Sequence, residues 1–113
     1  MISQLSLRVL AEGLDDWVPL AAVRGIALQL GDVESGQASE ASVASVRELA
    51  EHDLVEIGKV SDGGFFACDD PVDTIMDIIV NATRTSDLRE WGFLYWLCNT
   101  PGGDRLARSC VTG

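Results

Sequence analysis

Positively charged side chains are scarce in this sequence. Its 113 residues include 8 Lys and Arg against 18 Asp and Glu, which gives a formal net charge of -10 at neutral pH. A surface that binds nucleic acid gains much of its affinity from Lys and Arg, which displace counterions from the phosphates. The composition therefore disfavours a nucleic-acid partner, although a high acid content also serves simply to keep a protein in solution.

Long apolar runs, a basic leader and paired cysteines are also missing. The longest apolar runs fall far short of the roughly 20 residues that span a bilayer. The first residues lead into acids (Glu12, Asp15, Asp16) and have no basic region of the secretory type. The three cysteines are an odd number without CxxC spacing, which is typical of free thiols in a reducing compartment. We expect a cytoplasmic protein that does not enter a membrane.

The sequence also lacks the residue groupings that catalysis or metal binding requires. His52 is the only histidine, and Cys68, Cys98 and Cys110 lie in or beside apolar stretches, where thiols are normally inert. Adjacent Asp residues are typical of turns and helix caps, and the Gly-Gly pairs do not form a phosphate-binding loop. We predict a protein that is not an enzyme and holds neither a cofactor nor a metal ion.

Apolar residues are plentiful enough for one folded domain, since they make up 47% of the chain. They recur at helical spacing over Ser3–Gly13 and Ala21–Leu30, and Gly31 is a natural stop for the second helix. Between these helices, Trp17–Leu20 is predicted to be extended, because its proline suits an edge strand or a turn.

A third helix is predicted over residues 39–53, after a polar loop at residues 32–38, with Ser39 or Ser42 as its cap. Its buried stripe consists of Val43, Val46, Leu49 and Ala50. Its solvent-exposed face consists of Ser42, Ser45, Glu48 and Glu51, with Arg47 and His52 near the edges. The helix is thus predicted to show solvent mainly serines and acids.

A β-hairpin follows this helix. Leu54–Val60 is rich in branched residues, Ser61–Gly64 supplies the glycines of a turn, and Phe65–Cys68 returns as the second strand. Asp53, where such helices often end in glycine, tolerates the left-handed conformation better than most residues.

The last third of the chain is predicted to contain two more helices. Asp70 is expected to cap the first, with Pro71 at its first position and its end near Thr83. Its wide apolar stripe suits packing against the core and a second subunit; it consists of Val72, Ile75, Met76, Ile79 and Val80. Thr100 and Pro101 are typical of the start of the second helix.

An aromatic segment lies between these two helices. Residues 91–98 fit a helix or a strand, and we favour a strand. Their aromatic side chains suit core packing, a ligand pocket or self-association; they are Trp91, Phe93, Tyr95 and Trp96. As a bare edge strand this segment would invite aggregation, so we expect a second copy of the chain to cover it.

The order of elements resembles the winged helix-turn-helix domains of bacterial transcriptional regulators. The stretch from Arg47 to Gly58 is similar to their L-x-x-L-x-x-x-G-L-V passage from recognition helix to wing, and residues 95–103 are similar to their L-T-P-x-G entry to a C-terminal helix. The resemblance implies an α+β winged helix with a three-helix core and a hairpin wing. Residues 1–70 would be core and wing, and residues 71–113 a helical and strand extension suited to dimerisation.

In that family the recognition helix and the wing contact DNA. Carried over residue by residue, the surface would consist of Ser42, Ser45, Arg47 and Glu48 on the helix, and of Lys59, Ser61 and Asp62 at the wing. Such a helix normally offers Arg, Lys, Asn or Gln to base edges, and this one departs from that pattern.

Two functions follow from these observations. We favour an acidic winged-helix module that acts in regulation by binding another protein. The alternative is a dimeric DNA-binding regulator that uses a recognition helix over residues 39–53 and a wing over residues 58–65.

Overall fold

A computed structural model of the chain describes residues 2–31 and 35–112, and the side chains of residues 2–31 and 36–109. Within these ranges the chain is an α+β protein with six α-helices and a four-stranded antiparallel sheet. The helices are α1 (Gln4–Gly13), α2 (Leu20–Leu30), α3 (Ala38–Glu51), α4 (Val72–Thr85), α5 (Leu88–Trp91) and α6 (Pro101–Thr112). The strands are β1 (Val18–Pro19), β2 (Val55–Ser61), β3 (Gly64–Ala67) and β4 (Trp96–Asn99).

Several helix ends follow from local side-chain chemistry. Ser3 caps α1, since its hydroxyl accepts a hydrogen bond from the backbone N–H of Ser6 at 3.2 Å. Gly31 ends α2 in the left-handed conformation with φ of 75°. The Thr100 hydroxyl accepts from the N–H of Gly103 at 3.1 Å, with Pro101 as the first residue of α6. The predicted end of α2 at Gly31 and the predicted start of α6 at Thr100 and Pro101 are confirmed, and α1 begins one residue after the predicted Ser3.

Two of the expected caps were wrong. A short 3-10 turn, Ser35–Gln37, leads directly into α3, so Gln37 occupies the N-cap position. Ser42 lies inside the helix and donates from its hydroxyl to the carbonyl of Ala38 at 2.7 Å. In α4, Pro71 takes the N-cap position expected for Asp70, because its ψ of 148° is extended and not helical. The side chain of Asp70 therefore does not cap the helix.

The hairpin of β2 and β3 is confirmed, with a tighter turn than expected. Ser61 pairs with Gly64, so only Asp62 and Gly63 lie between the strands. Gly64 has φ of 114°, a conformation that L side chains rarely adopt. Asp53, just before the hairpin, has φ of 55°, as predicted.

The end of the aromatic segment, from Trp96, forms an interior strand of the sheet and not its edge. The strand order is β1-β4-β2-β3, and Leu97 of β4 lies opposite both Val18 and Ile57. The favoured strand is thus confirmed for residues 96–98 but was wrong for residues 91–95, where Trp91 ends α5 and a turn follows, and the expectation of a bare edge was also wrong. β4 joins β1 to β2 and α6 packs on α1, so both elements pack directly against the first 70 residues.

The core lies between one face of the sheet and the helices. Side chains alternate along each strand, so paired residues share a face. Val18, Val55, Ile57 and Leu97 face the core, where Leu10, Leu20, Leu49, Met76 and Ile79 are almost fully buried. None of the described helices combines the length and apolar character that crossing a bilayer requires.

Candidate functional site

Helix α3 carries most of the residues expected to face a partner, and its orientation differs from the prediction. Ser42 and Ser45 are buried, which overturns their assignment to the exposed face. The small side chains at these positions allow α3 to pack closely against α1 and α2. Val43, expected in the buried stripe, is only half-buried. Ser42 and Ser45 therefore cannot contact a partner, whether DNA or protein.

Ser45 belongs to a polar cluster between α1 and α3, which consists of Ser3, Ser6, Ser45 and Glu48. The Ser6 hydroxyl lies 2.7 Å from the Ser45 hydroxyl and 2.6 Å from the Glu48 carboxylate. The backbone N–H of Ser3 donates to the same carboxylate at 3.1 Å. The Ser6 hydrogen bond is the main cause of a lowered pKa for Glu48. Glu48 thus remains ionised and joins the two helices, a structural role.

A groove of about 350 Å³ opens beside this cluster. Its lining is mainly apolar, from Leu5, Ala27, Leu30, Ala41 and Ala44, with Ser3, Gln4, Ser45 and Glu48 at the polar side. Across the described side chains, every buried nitrogen or oxygen atom has a hydrogen-bond partner. The groove therefore offers no buried polar group that still needs a ligand.

Arg47 is the only basic residue of α3, and its charge is matched by two acids. Its guanidinium lies 3.0 Å from the Asp73 carboxylate of α4 and 3.4 Å from that of Glu51. The hydrogen bond to Asp73 is the main cause of its raised pKa. Exposed ion pairs of this kind contribute little to stability. The ion pairs matter for electrostatics, because the Arg47 guanidinium that would bind a phosphate already lies beside two carboxylates.

At the wing, the structure places Lys59, Ser61 and Asp62 at the surface. The Lys59 ammonium lies 5.0 Å from the centre of the buried Tyr95 ring, which is cation–π geometry. Ser61 precedes the turn, and Asp62 lies in it. The surface of the wing therefore has one cation, Lys59, which lies over the Tyr95 ring, and one carboxylate, Asp62.

The aromatic residues proposed for self-association fall into two groups. Trp91 and Tyr95 are buried in the core, so their assignment to a surface was wrong. Phe93 is 55% exposed and stacks against the half-buried Trp96, with ring centres 6.0 Å apart. Only these last two can take part in an interface.

Sequence reasoning missed a pair of aromatic side chains, the exposed Trp17 and the half-buried Phe65. Trp17 is 37% exposed and lies 6.1 Å from Phe65, measured between ring centres. The pattern that could have found Phe65 is the two-residue turn, because it pairs Phe65 with Val60 and fixes which face of the hairpin carries the ring.

Among the described side chains, His52 forms no hydrogen bond with Cys68 or Cys98. His52 is exposed, and its Nδ1 lies 2.8 Å from the Glu48 carbonyl oxygen. Cys68 and Cys98 are free thiols, and burial is the main cause of the raised pKa of Cys98, which lowers its thiolate fraction. Among the residues with a described position, no three His, Cys, Asp or Glu side chains are grouped as a metal site. Cys110 lies outside the described side chains.

Comparison with known proteins found no matching family model, no significantly similar curated protein and no significantly similar solved structure.

Proposed function

We propose that this chain is a non-catalytic, acidic module of winged-helix type that acts in regulation by binding another protein. The order α1, β1, α2, α3 and the β2–β3 hairpin is compatible with a winged helix. In such a domain α3 is the recognition helix and the hairpin is the wing. The choice between protein and DNA then depends on the side chains of these two elements.

The ion pairs of Arg47 carry the proposal. A helix that enters the major groove presents free donors to base edges and cations to phosphates. On α3 the single cation is matched by Glu51 and Asp73, and the two serines that could have donated hydrogen bonds are buried. The exposed surface of this helix is therefore acidic, which repels phosphates and favours a protein partner.

Titration of labelled duplex DNA of random sequence tests the proposal directly. At low salt we expect no saturable binding up to about 10⁻⁴ M protein, where a typical non-specific DNA-binding domain is already bound. The double variant Glu51→Gln/Asp73→Asn, which frees Arg47, is a control that should bind more strongly than the wild-type chain. Saturable wild-type binding that weakens with salt and is lost in Arg47→Ala would overturn the proposal.

Site-specific photo-crosslinking in the cells that make this chain provides the positive arm. A photoreactive residue at Glu40, which is exposed on α3, or at Asp62 of the wing should form an adduct with a different protein. The same residue at Arg105, which is exposed on α6, is the matched control and should form none. Adducts that contain only nucleic acid would support the DNA-binding alternative.

A further inference from the structure

The sheet has a second face, opposite the core, which the strand register defines. Because Ile57, Leu97 and Val18 point into the core, their neighbours point outward. The outward positions are Pro19, Glu56, Gly58, Val60, Phe65, Ala67, Trp96 and Cys98. None of them is basic, and Lys59 points to the core side with Ile57.

Four aromatic rings lie on this outer face as two contacting pairs, Trp17 with Phe65 and Phe93 with Trp96, with Gly58 between the pairs. Phe65 lies over Gly58, since a Cβ built at Gly58 would be 2.8 Å from the Phe65 ring, and Gly58 pairs with Trp96 on the next strand. Trp17 stacks on Phe65 at one end, and Phe93 stacks on Trp96 at the other. We name these four residues the aromatic band. Its two ends are the most exposed, at 37% for Trp17 and 55% for Phe93.

Carboxylates surround the Trp17 end of the band. A cleft of about 340 Å³ there is lined by Trp17 and Cys98 together with Asp15, Asp16 and Asp104. Glu56 and Asp104 both act electrostatically on the Cys98 thiol, which places their charges near the same cleft. An indole ring beside several carboxylates is the environment in which a guanidinium is bound, by stacking on the ring and hydrogen bonding to the acids.

The other end of the band has a different character. Phe93 lines a shallow apolar cleft with Ala21 and Leu88, and Asp87 and Arg89 contribute one charge of each sign. The band therefore runs from an acidic cleft at Trp17 to an apolar and electrically balanced end at Phe93. A ligand that fits both ends carries a cation at one end and apolar side chains at the other.

Charge decides between the two occupants that could cover such a face. A second copy would bring another net charge of -10 and a second set of acids against the first, which costs free energy. A basic segment of another protein would instead meet carboxylates at the Trp17 end. Electrostatic complementarity therefore favours the basic segment.

We propose that the aromatic band is the docking site for an arginine-containing segment of a partner protein. An arginine side chain of that segment enters the cleft between Trp17 and the acids, and an apolar residue covers Trp96 and Phe93. This assignment rests on the proposed function, since it adds to the α3 and wing surface a second contact surface and the chemistry of the partner segment that binds there.

Titration of the ¹⁵N-labelled full chain with a short capped peptide of alternating valine and arginine tests this site. The indole N–H signals of Trp17 and Trp96 report on the band, and that of the buried Trp91 is an internal reference. We expect saturable shifts of the first two signals, weaker binding of the lysine analogue, and no binding of the glutamate analogue. Trp17→Ala should weaken the arginine peptide about tenfold, as expected for loss of a desolvated cation–π contact.

Matched variants separate this site from unspecific attraction. Phe66 is 54% exposed on the opposite side of the hairpin, and Asp77 is an exposed acid of α4. Phe66→Ala and Asp77→Asn should leave the affinity unchanged, whereas the double variant Asp15→Asn/Asp16→Asn should weaken it several-fold at low salt.

Three results would overturn the assignment. They are the absence of saturable shifts with the arginine peptide, shifts confined to α3 and the wing turn, and band signals that move with protein concentration because the chain dimerises. None of these bears on the proposed function, which fails separately if the chain binds duplex DNA.

Discussion

The contact between α1 and α3 and the outer face of the sheet have opposite combinations of polarity and burial. In the first, Ser6 and Ser45 are buried and hydrogen-bonded to each other or to Glu48. In the second, Trp17 and Phe93 are exposed to solvent. Side-chain hydrophobicity alone would place these two groups the other way round.

The difference shows that hydrogen bonding and strand register decide burial in this chain. Serine is small enough to lie between closely packed helices, and its burial costs little when its hydroxyl is paired. Strand alternation places Phe65 and Trp96 on the outer face, and the exposed Trp17 and Phe93 contact these two rings there. Such a face is a candidate interaction site because it is apolar and exposed.

Enlarging Ser45 should have the largest effect on stability. Ser45→Leu places a bulky side chain between α1 and α3, at the edge of the groove, and removes the hydrogen bond to Ser6, at a cost of about 3 kcal/mol in the free energy of unfolding. Urea unfolding followed by tryptophan fluorescence measures this change. Ala44→Leu, on the exposed neighbouring residue of α3, is the control and should change stability by less than about 0.5 kcal/mol. Equal costs for the two variants would mean that Ser45 is not buried.

The glycine beneath Phe65 is the next position to test. A Cβ in Gly58→Ala would clash with the Phe66 carbonyl and the Phe65 ring, so β2 and β3 must separate or the ring must move. We expect a loss of about 2 kcal/mol and a change in the Trp17 environment. Gly25→Ala is the control, because nothing lies within 4 Å of its added Cβ, and it should stabilise α2. A neutral Gly58→Ala would show that Phe65 does not pack there.

Replacing Glu48 should have a smaller and pH-dependent effect. The pKa of Glu48 is lowered in the folded chain, so its ionised form stabilises the fold at neutral pH. This contribution is complete above its ordinary pKa of 4.5 and is lost as the pH falls through the lowered value. Glu48→Gln should therefore cost about 1 kcal/mol at neutral pH and progressively less in acid.

A variant of an exposed glutamate separates the contribution of Glu48 from the general effect of low pH on the stability of the chain. Glu12→Gln, on the surface of α1, should leave the pH dependence of unfolding close to that of the wild-type chain. If Glu48→Gln lowered the free energy of unfolding by the same amount at every pH, the charge of the Glu48 carboxylate would not contribute to the contact between α1 and α3.

Removing an exposed ring should have the smallest effect on the fold. Phe93→Ser deletes one half of the stack with Trp96, at a cost of no more than about 1 kcal/mol. Binding of a hydrophobic dye should fall at the same time, because the variant loses exposed apolar surface. A cost as large as that of Ser45→Leu would mean that Phe93 is part of the core.

Local signals in the sequence were sufficient for most of the elements. Gly31, the Asp62–Gly63 turn and the pair Thr100–Pro101 each act on their own backbone, so each could be placed without the rest of the fold. The position of β4 between β1 and β2 could not, because it depends on pairing between residues far apart in the chain.

The orientation of α3 also could not be predicted from the periodicity of the sequence. Ala38, Ser42, Ser45 and Ala50 are buried, and residues this small give a weak hydrophobic signal in either direction. The outcome was set by Ser6 of α1, whose hydroxyl bridges Ser45 and Glu48 across a long stretch of chain. Among the residues predicted to face a partner, Arg47, Lys59, Ser61 and Asp62 are accessible, which is all that the structure shows of them. Ser42 and Ser45 are buried, so their prediction was wrong.

The insertion of β4 into the sheet also determines the order in which the protein can fold. During synthesis, β1 and the β2–β3 hairpin emerge before β4, the strand that joins them. We therefore expect the hairpin to form first from local contacts, and the four-stranded sheet to form only after residues 96–99 have been made. Until then two strand edges lack their neighbour. A chain released before Asn99 would keep those edges open, and we expect it to aggregate where the full chain does not.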